Sequence, residues 1–299
     1  PSRPGGVRGS STWGRQAGTR RASWPRAGGA LHSRHRRARA GWRKRGGLEV
    51  TAVGGLGAER TRGLLEPLLA SLDDGPGAPL GALPREFPGG AGVVHLVDKP
   101  GAPQSQLRIG HATLDRHHAD HDALAFANHL FGGSFNSRLN MNLREEKGWT
   151  YGVRSQLVTD PRVGTLTVSA GVHTDVTADA VSEVLRELSA LREDITAVEA
   201  DFVRDAMLQS MARQYESMAA RGALLSGTLR QELADDWLAR RVASLHDLDR
   251  EVLLEAVRAH VKPDELRLLV VGDAARLREP LAALGLGPVV ELDLDGVPV

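Results

Sequence analysis

Hydrophobic and polar positions from residue 93 onward follow two periods. VVHLVD (93–98) is a β-branched run ended by Pro100 and reads as a strand, and QSQLRIGHAT (104–113) alternates as a second strand would. Between 116 and 131 the spacing becomes helical, with Ala119, Ala123, Phe126, Ala127 and Leu130 on one stripe. SFNSRLNMNLREEKG (134–148) continues as a helix, with Phe135, Leu139 and Leu143 four apart, and Gly148 suits the left-handed position just past its end. WTYGVRSQLV and VGTLTVSAGV read as strands joined at Asp160-Pro161, hence a hairpin. A helix follows over 176–193. Thr196-x-x-Glu199 is a capping box that opens a longer helix to about residue 217. Further helices are expected over 218–231 and 246–261. Strands neighbour strands and helices come in a block, which predicts an α+β domain: a mixed or antiparallel sheet with helices packed on one face.

A shorter pattern occurs twice. LEVTAVGGLGAERTRGLLEPLLASL, from Leu48, reads as a β-run, a Gly turn and a helix with Leu64, Leu65, Leu68, Leu69 and Leu72 on one face. LRLLVVGDAARLREPLAALG repeats that plan with a strand at 266–271, a turn at Gly272 and a helix at 277–284. Two strand–Gly–helix units suggest two related domains. Residues 48–75 are then the remnant of a preceding, truncated domain, 76–92 a Pro- and Gly-rich linker, and 93–299 a complete domain.

Composition changes the picture at the N-terminus. The chain has 299 residues and a formal net charge of +1, yet residues 1–47 hold 13 of the 38 basic side chains and no acidic one. The other 252 residues carry 25 basic against 37 acidic groups. The leader has neither helical nor strand periodicity. It could serve as a nucleic-acid arm through Arg36, Arg37, Arg39 and Trp42, but a charge run of this kind is ordinarily a solvated tail, and no nucleic-acid partner is expected. The chain opens with Pro rather than Met, which reads as a fragment. With 41% hydrophobic residues the rest can bury a core, and the absence of Cys excludes disulfide scaffolds and thiolate metal sites. No apolar run approaches the roughly 20 residues that span a bilayer, so no membrane span is expected. A soluble protein of periplasm or cytoplasm fits, with the compartment left open.

Three groups of residues could carry chemistry. His117 and His121, at i and i+4 with Asp120 between them, would share one helix face, a spacing that can chelate zinc. An independent metal-dependent hydrolase using that pair is one alternative, although a solvated first helical turn explains the same residues. Gly132-Gly133 in FGGSFNSRL reads as a tight bend and close packing rather than a phosphate nest. Arg144 falls in the last turn of its helix and Tyr151 on the strand after the Gly148 corner. A guanidinium and a phenol are donors of the kind that hold a peptide carbonyl or the oxyanion formed from it. An Arg at a helix C-terminus and a Tyr in a half-buried strand also need no function to explain them, and the residues alone favour that plainer account.

VVHLVDKPGAPQSQLRIGH, HDALAFANHLFGGSFNSRLNMNLREEKGWTYGVRS and the late VVGDA together resemble the pitrilysin/insulinase family of zinc metallopeptidases, and more narrowly its second, non-zinc half. The likeness covers about residues 48–299 and is most specific over 128–155. The resemblance implies a clamshell of two halves, each of two similar α+β domains. One half holds zinc through H-x-x-E-H and a distal Glu. The other supplies an Arg and a Tyr seven residues apart that grip substrate beside the metal. Arg144 and Tyr151 match that pair in type and spacing, whereas HHADHDAL aligns with an ordinary helix start. No H-x-x-E-H occurs in the sequence. The resemblance therefore implies a non-catalytic subunit or fragment, inactive alone and binding no metal itself, with zinc expected in a partner half and a peptide as substrate. The alternative within the same fold is a structural or assembly subunit with no proteolytic role.

Overall fold

The computed structural model describes residues 50–72, 75, 92–213 and 215–299. The basic leader and residues 76–91 of the linker lie outside the described residues. The chain divides into two units, Pro1–Leu48 with Leu65–Pro79, and Glu49–Leu64 with Leu80–Val299. In the first, the described residues form the end of helix α1 (Ala58–Ala70). In the second, residues 50–53 form no strand, so the expected strand–Gly–helix echo is complete only near the C-terminus.

The main unit is built on a six-stranded sheet of β1 (Val94–Asp98), β2 (Gln104–Thr113), β3 (Thr150–Asp160), β4 (Val163–His173), β5 (Arg267–Gly272) and β6 (Val289–Leu292). Their order is β3-β4-β2-β5-β1-β6. β1 runs parallel to β5 and β6, whereas β4 pairs antiparallel with both β3 and β2, and β2 antiparallel with β5. The sheet is thus mixed, as expected. β2 and the β3–β4 hairpin match the sequence pattern closely, because strict alternation buries Leu107, Ile109, Leu166, Val168, Ala170 and Val172 on one face.

Helices cover that buried face. They are α2 (His121–Asn128), α3 (Thr177–Glu193), α4 (Ala197–Arg213), α5 (Met218–Arg230), α6 (Trp237–His246), α7 (Arg250–His260) and α8 (Ala274–Ala283). α3 gives the core Val181, Val184, Leu188 and Leu191, and α7 adds Leu253 and Val257. The capping box forms as expected: Thr196 N donates to Glu199 Oε2 at 2.8 Å, and Glu199 N donates to Thr196 Oγ1 at 3.2 Å. Arg138 clasps the same carboxylate with two bonds of 2.7 and 2.8 Å, fastening the α4 entry to the start of the helical segment that runs to Glu146.

Two stretches depart from the expected α-helices. His129–Gly133 and Asn140–Glu146 are π-helical, and in the second Lys147 N reaches back five residues to Asn142 O at 3.1 Å. Phe135 lies outside any helix and is exposed, whereas Leu139 and Leu143 are fully buried. Of the expected stripe Phe126, Ala127 and Leu130 are buried; Ala119 falls before the helix, which begins only at His121, and Leu124 is buried where Ala123 was expected. Helix α6 and strand β6 were not anticipated.

Candidate functional site

Both π-helical segments pack against β3. Gly132 lies so close to the strand that a Cβ there would sit 2.7 Å from Ser155 Oγ and 2.8 Å from its backbone N. Close packing is therefore the reason for this glycine, as the sequence suggested. Asn140 is buried between Leu139 and Leu143 and turns its amide to the strand. Its Nδ2 donates to Val153 O at 2.8 Å, and its Oδ1 accepts from Val153 N at 3.1 Å. Asn142 is held from the other side, its Nδ2 donating to Glu183 and Glu187 of α3 at 2.8 and 2.7 Å. Burial would raise the Glu183 pKa, but hydrogen bonds from Asn142 and Arg186 bring it below the usual carboxylate value.

The segment ends at Gly148, which takes φ +66°. Gly148 N donates to Arg144 O at 3.2 Å and Trp149 N to Leu143 O at 3.0 Å, which closes the helix and turns the chain into β3. The β3–β4 register shifts between Thr150 and Val153. Thr150 Oγ1 holds this irregularity by donating to Gly171 O at 2.7 Å and accepting from Gly152 N at 3.1 Å.

Tyr151 stands at that bulge with 90% of its surface exposed. Arg144 lies in the last helical turn, half-buried, with its guanidinium 4.1 Å from the centre of the exposed Phe135 ring and 3.4 Å from Glu145. The helix–Gly–strand corner thus carries both residues on one fixed unit. Tyr151 therefore packs against nothing among the described residues, and its phenol is open to solvent on a strand whose backbone is anchored by Asn140.

The histidine pair is corrected. His117 lies in the turn before α2 and is exposed, so it shares no helix face with His121. His121 is buried, its Nε2 2.9 Å from Thr159 Oγ1 and its Nδ1 facing both Asp122 at 3.1 Å and the Arg116 guanidinium. Both ring nitrogens are therefore occupied by protein. Burial lowers the His121 pKa, while the Asp122 carboxylate works against that shift. The residue that meets Asp120 is instead His260, from the end of α7, at 2.7 Å. Its position 140 residues downstream left no local sequence signal. Asn140 was missed for a different reason: a polar residue between two buried leucines is a signal, but its partner is not legible from spacing.

The main unit is thus an α+β domain, a mixed six-stranded sheet with helices on one face, two π-helical segments and a bulged strand. The family profile described as peptidase M16 inactive domain matches residues 42–207. The chain belongs to that family, the second half of the pitrilysin/insulinase peptidases. No curated protein matches it. Among solved structures, a peptidase M16 inactive domain from Pseudomonas fluorescens superposes with a TM-score of 0.65 at 21% identity, over 74% of this chain and 52% of that one. A protease from Helicobacter pylori gives 0.63 at 20% identity, over 73% and 54%. A chain of complex III2 from Candida albicans gives 0.62 at 13% identity, over 78% and 57%. The chain spans about half the length of these structures. Among the described residues, no helix is long and apolar enough to cross a membrane.

Proposed function

We propose that this chain is the substrate-gripping, non-catalytic half of a zinc metalloendopeptidase, acting in trans or as part of a longer parent. Arg144 and Tyr151 donate hydrogen bonds to the scissile carbonyl and to the charge that develops on it. The chain contains no H-x-x-E-H, so the zinc that activates water belongs to a partner half. The observation that carries this reading is the exposed Tyr151 on a bulge whose two flanks are pinned by Thr150 and Asn140. A donor works best when its position is settled before substrate arrives, since no reorganisation is then needed in the transition state. Arg144 is settled likewise by the helix end and the Phe135 ring.

The test is reconstitution with a zinc-bearing half and a peptide substrate. Arg144→Ala and Tyr151→Phe should each lower kcat by about 10²–10³, the usual loss for one oxyanion donor. Unchanged cleavage in both variants would remove the assigned roles. The second reading, an assembly subunit without proteolytic work, is supported by the shared fold with a complex III2 chain. It expects no cleavage with any zinc-bearing half, and co-purification with a larger complex.

A further inference from the structure

The turn before α2 and the end of α7 bring together three groups that the proteolytic reading does not use. Asp120 Oδ2 lies 2.7 Å from His260 Nε2 and 3.8 Å from His118 Nδ1. The two imidazoles meet edge to face, with centroids 4.6 Å apart and planes at 74°. One ligand atom from each of the three residues lies within 4.8 Å of the others. We propose that His118, Asp120 and His260 form a binding site for a divalent transition-metal ion of the zinc class, with water completing its coordination. This goes beyond the family reading and departs from the expectation that the chain binds no metal.

The chemistry of the donor set fits. Two imidazoles and a carboxylate suit zinc, with bonds of about 2.0–2.2 Å in a tetrahedral site. Such bonds place neighbouring ligand atoms about 3.3 Å apart, so on binding the cluster closes by up to roughly 1.5 Å at its widest and the Asp120–His260 pair opens by roughly 0.6 Å. His118 and Asp120 can make that movement, because their side chains are 43% and 47% exposed, while His260 at 16% is the fixed donor. The Asp120 amide donates to His118 Nδ1 at 3.1 Å. That bond uses the Nδ1 lone pair, so an ion ligated at this atom takes the place of the Asp120 N–H. His260 Nε2–H donates to Asp120 without metal, and the ion takes the place of that proton.

The framework around the donors is fixed independently of any ion. Thr113 Oγ1 donates to His260 O at 2.9 Å, anchoring the end of α7 to β2. Leu124 N donates to Asp120 O at 2.9 Å, and His121 N to His118 O at 3.1 Å. His118 and Asp120 also line a cavity of about 490 Å³, which gives solvent and a fourth ligand access. A bound ion would pin residues that are 140 positions apart in the chain.

Isothermal titration of the full chain, free of any histidine tag, with Zn²⁺ tests this. One equivalent should bind. Changing an outer-shell partner of a metal typically costs about 10–100-fold in affinity, so His118→Ala or His260→Ala, which remove a direct ligand, should cost at least that. His117→Ala, its neighbour outside the cluster, should leave binding unchanged. Titration with Co²⁺ should give visible absorption bands of a four-coordinate site, lost in the same two variants. His118 is exposed, so its variant reports on ligation rather than on folding. No stoichiometric uptake, or uptake equally affected by His117→Ala, would overturn the proposal. No partner half enters the experiment, so its result is independent of the peptidase reading.

Discussion

Asn140 and Val153 exchange two hydrogen bonds, side-chain amide to backbone peptide, in the same pattern that two paired strand residues would use. The amide of a π-helical segment thereby stands in for a neighbouring strand where β3 loses register with β4. This positions Tyr151, two residues before Val153.

Asn140→Ala should therefore act at two levels. It leaves the buried Val153 N–H and C=O without partners, which typically costs about 1–3 kcal/mol per group. Urea denaturation should show a lower midpoint with an unchanged slope. In the reconstituted enzyme the Tyr151 contribution should fall as well, so Asn140→Ala and Tyr151→Phe should combine less than additively in kcat. Full additivity would show that the amide does not position the phenol.

Gly132→Ala tests the packing of the other π-helical segment on β3. The added methyl group would approach the backbone N of Ser155 to 2.8 Å and Leu139 Cδ1 to 2.9 Å. Backbone on one side and a buried leucine on the other leave little room to yield, and overpacking of this kind typically costs about 1–3 kcal/mol. At Gly54 a Cβ would meet nothing within 4 Å, and alanine there should be close to neutral. The comparison is read as thermal midpoints of the two variants; equal midpoints would contradict it.

The sheet was legible because alternation and the Asp160-Pro161 turn fix strand, partner and face at once, and β2, β3 and β4 lie where the pattern places them. The capping box was legible because both partners lie within four residues. What failed was reading 116–148 as regular α-helix. The helix is interrupted over 134–137, so Phe135 lies in the break and leaves the Leu139/Leu143 stripe that a period of 3.6 assigns to it. Helix α6 was missed although Leu238, Val242 and Leu245 give it an apolar stripe that packs on the core. At the candidate site the left-handed Gly148 was legible from its place just past the helix, whereas the roles of Arg144 and Tyr151 come from the family resemblance and not from the residues alone. Asn140 and His260 were not legible, because their partners lie 13 and 140 residues away.

Stability should fall as the solution is acidified from neutral pH. Burial lowers the His129 pKa from 6.5, and burial likewise lowers that of His111 against an opposing bond to Ala112 O. In the unfolded chain both protonate near 6.5, before they do so in the fold. Their contribution is complete above that value and is lost as the pH drops through 6.5 toward the lowered folded pKa values. His129 stacks on Phe202 at 6.4 Å. His129→Gln keeps a polar planar group but removes the titration, so the decline in thermal midpoint from pH 7.5 to 5.5 should become shallower. An identical decline would assign the acid sensitivity elsewhere.

Phe135 offers the sharpest separation of stability from function. Its ring is 65% exposed, so removing it should cost the fold little. Yet it is the surface on which the Arg144 guanidinium rests, 4.1 Å from the ring centre. A cation over an aromatic face at an exposed site is worth about 0.5–1 kcal/mol, enough to bias one side-chain orientation over others in water. If Arg144 grips substrate, Phe135→Leu should leave the denaturation midpoint almost unchanged and lower kcat/KM of the reconstituted enzyme by about 2–5-fold, the rate equivalent of that energy. Phe135→Tyr keeps the ring face and should restore the rate. In an Arg144→Ala background Phe135→Leu should have no further effect, since the group it orients is gone. A loss of the same size in that background would mean that Phe135 touches substrate itself.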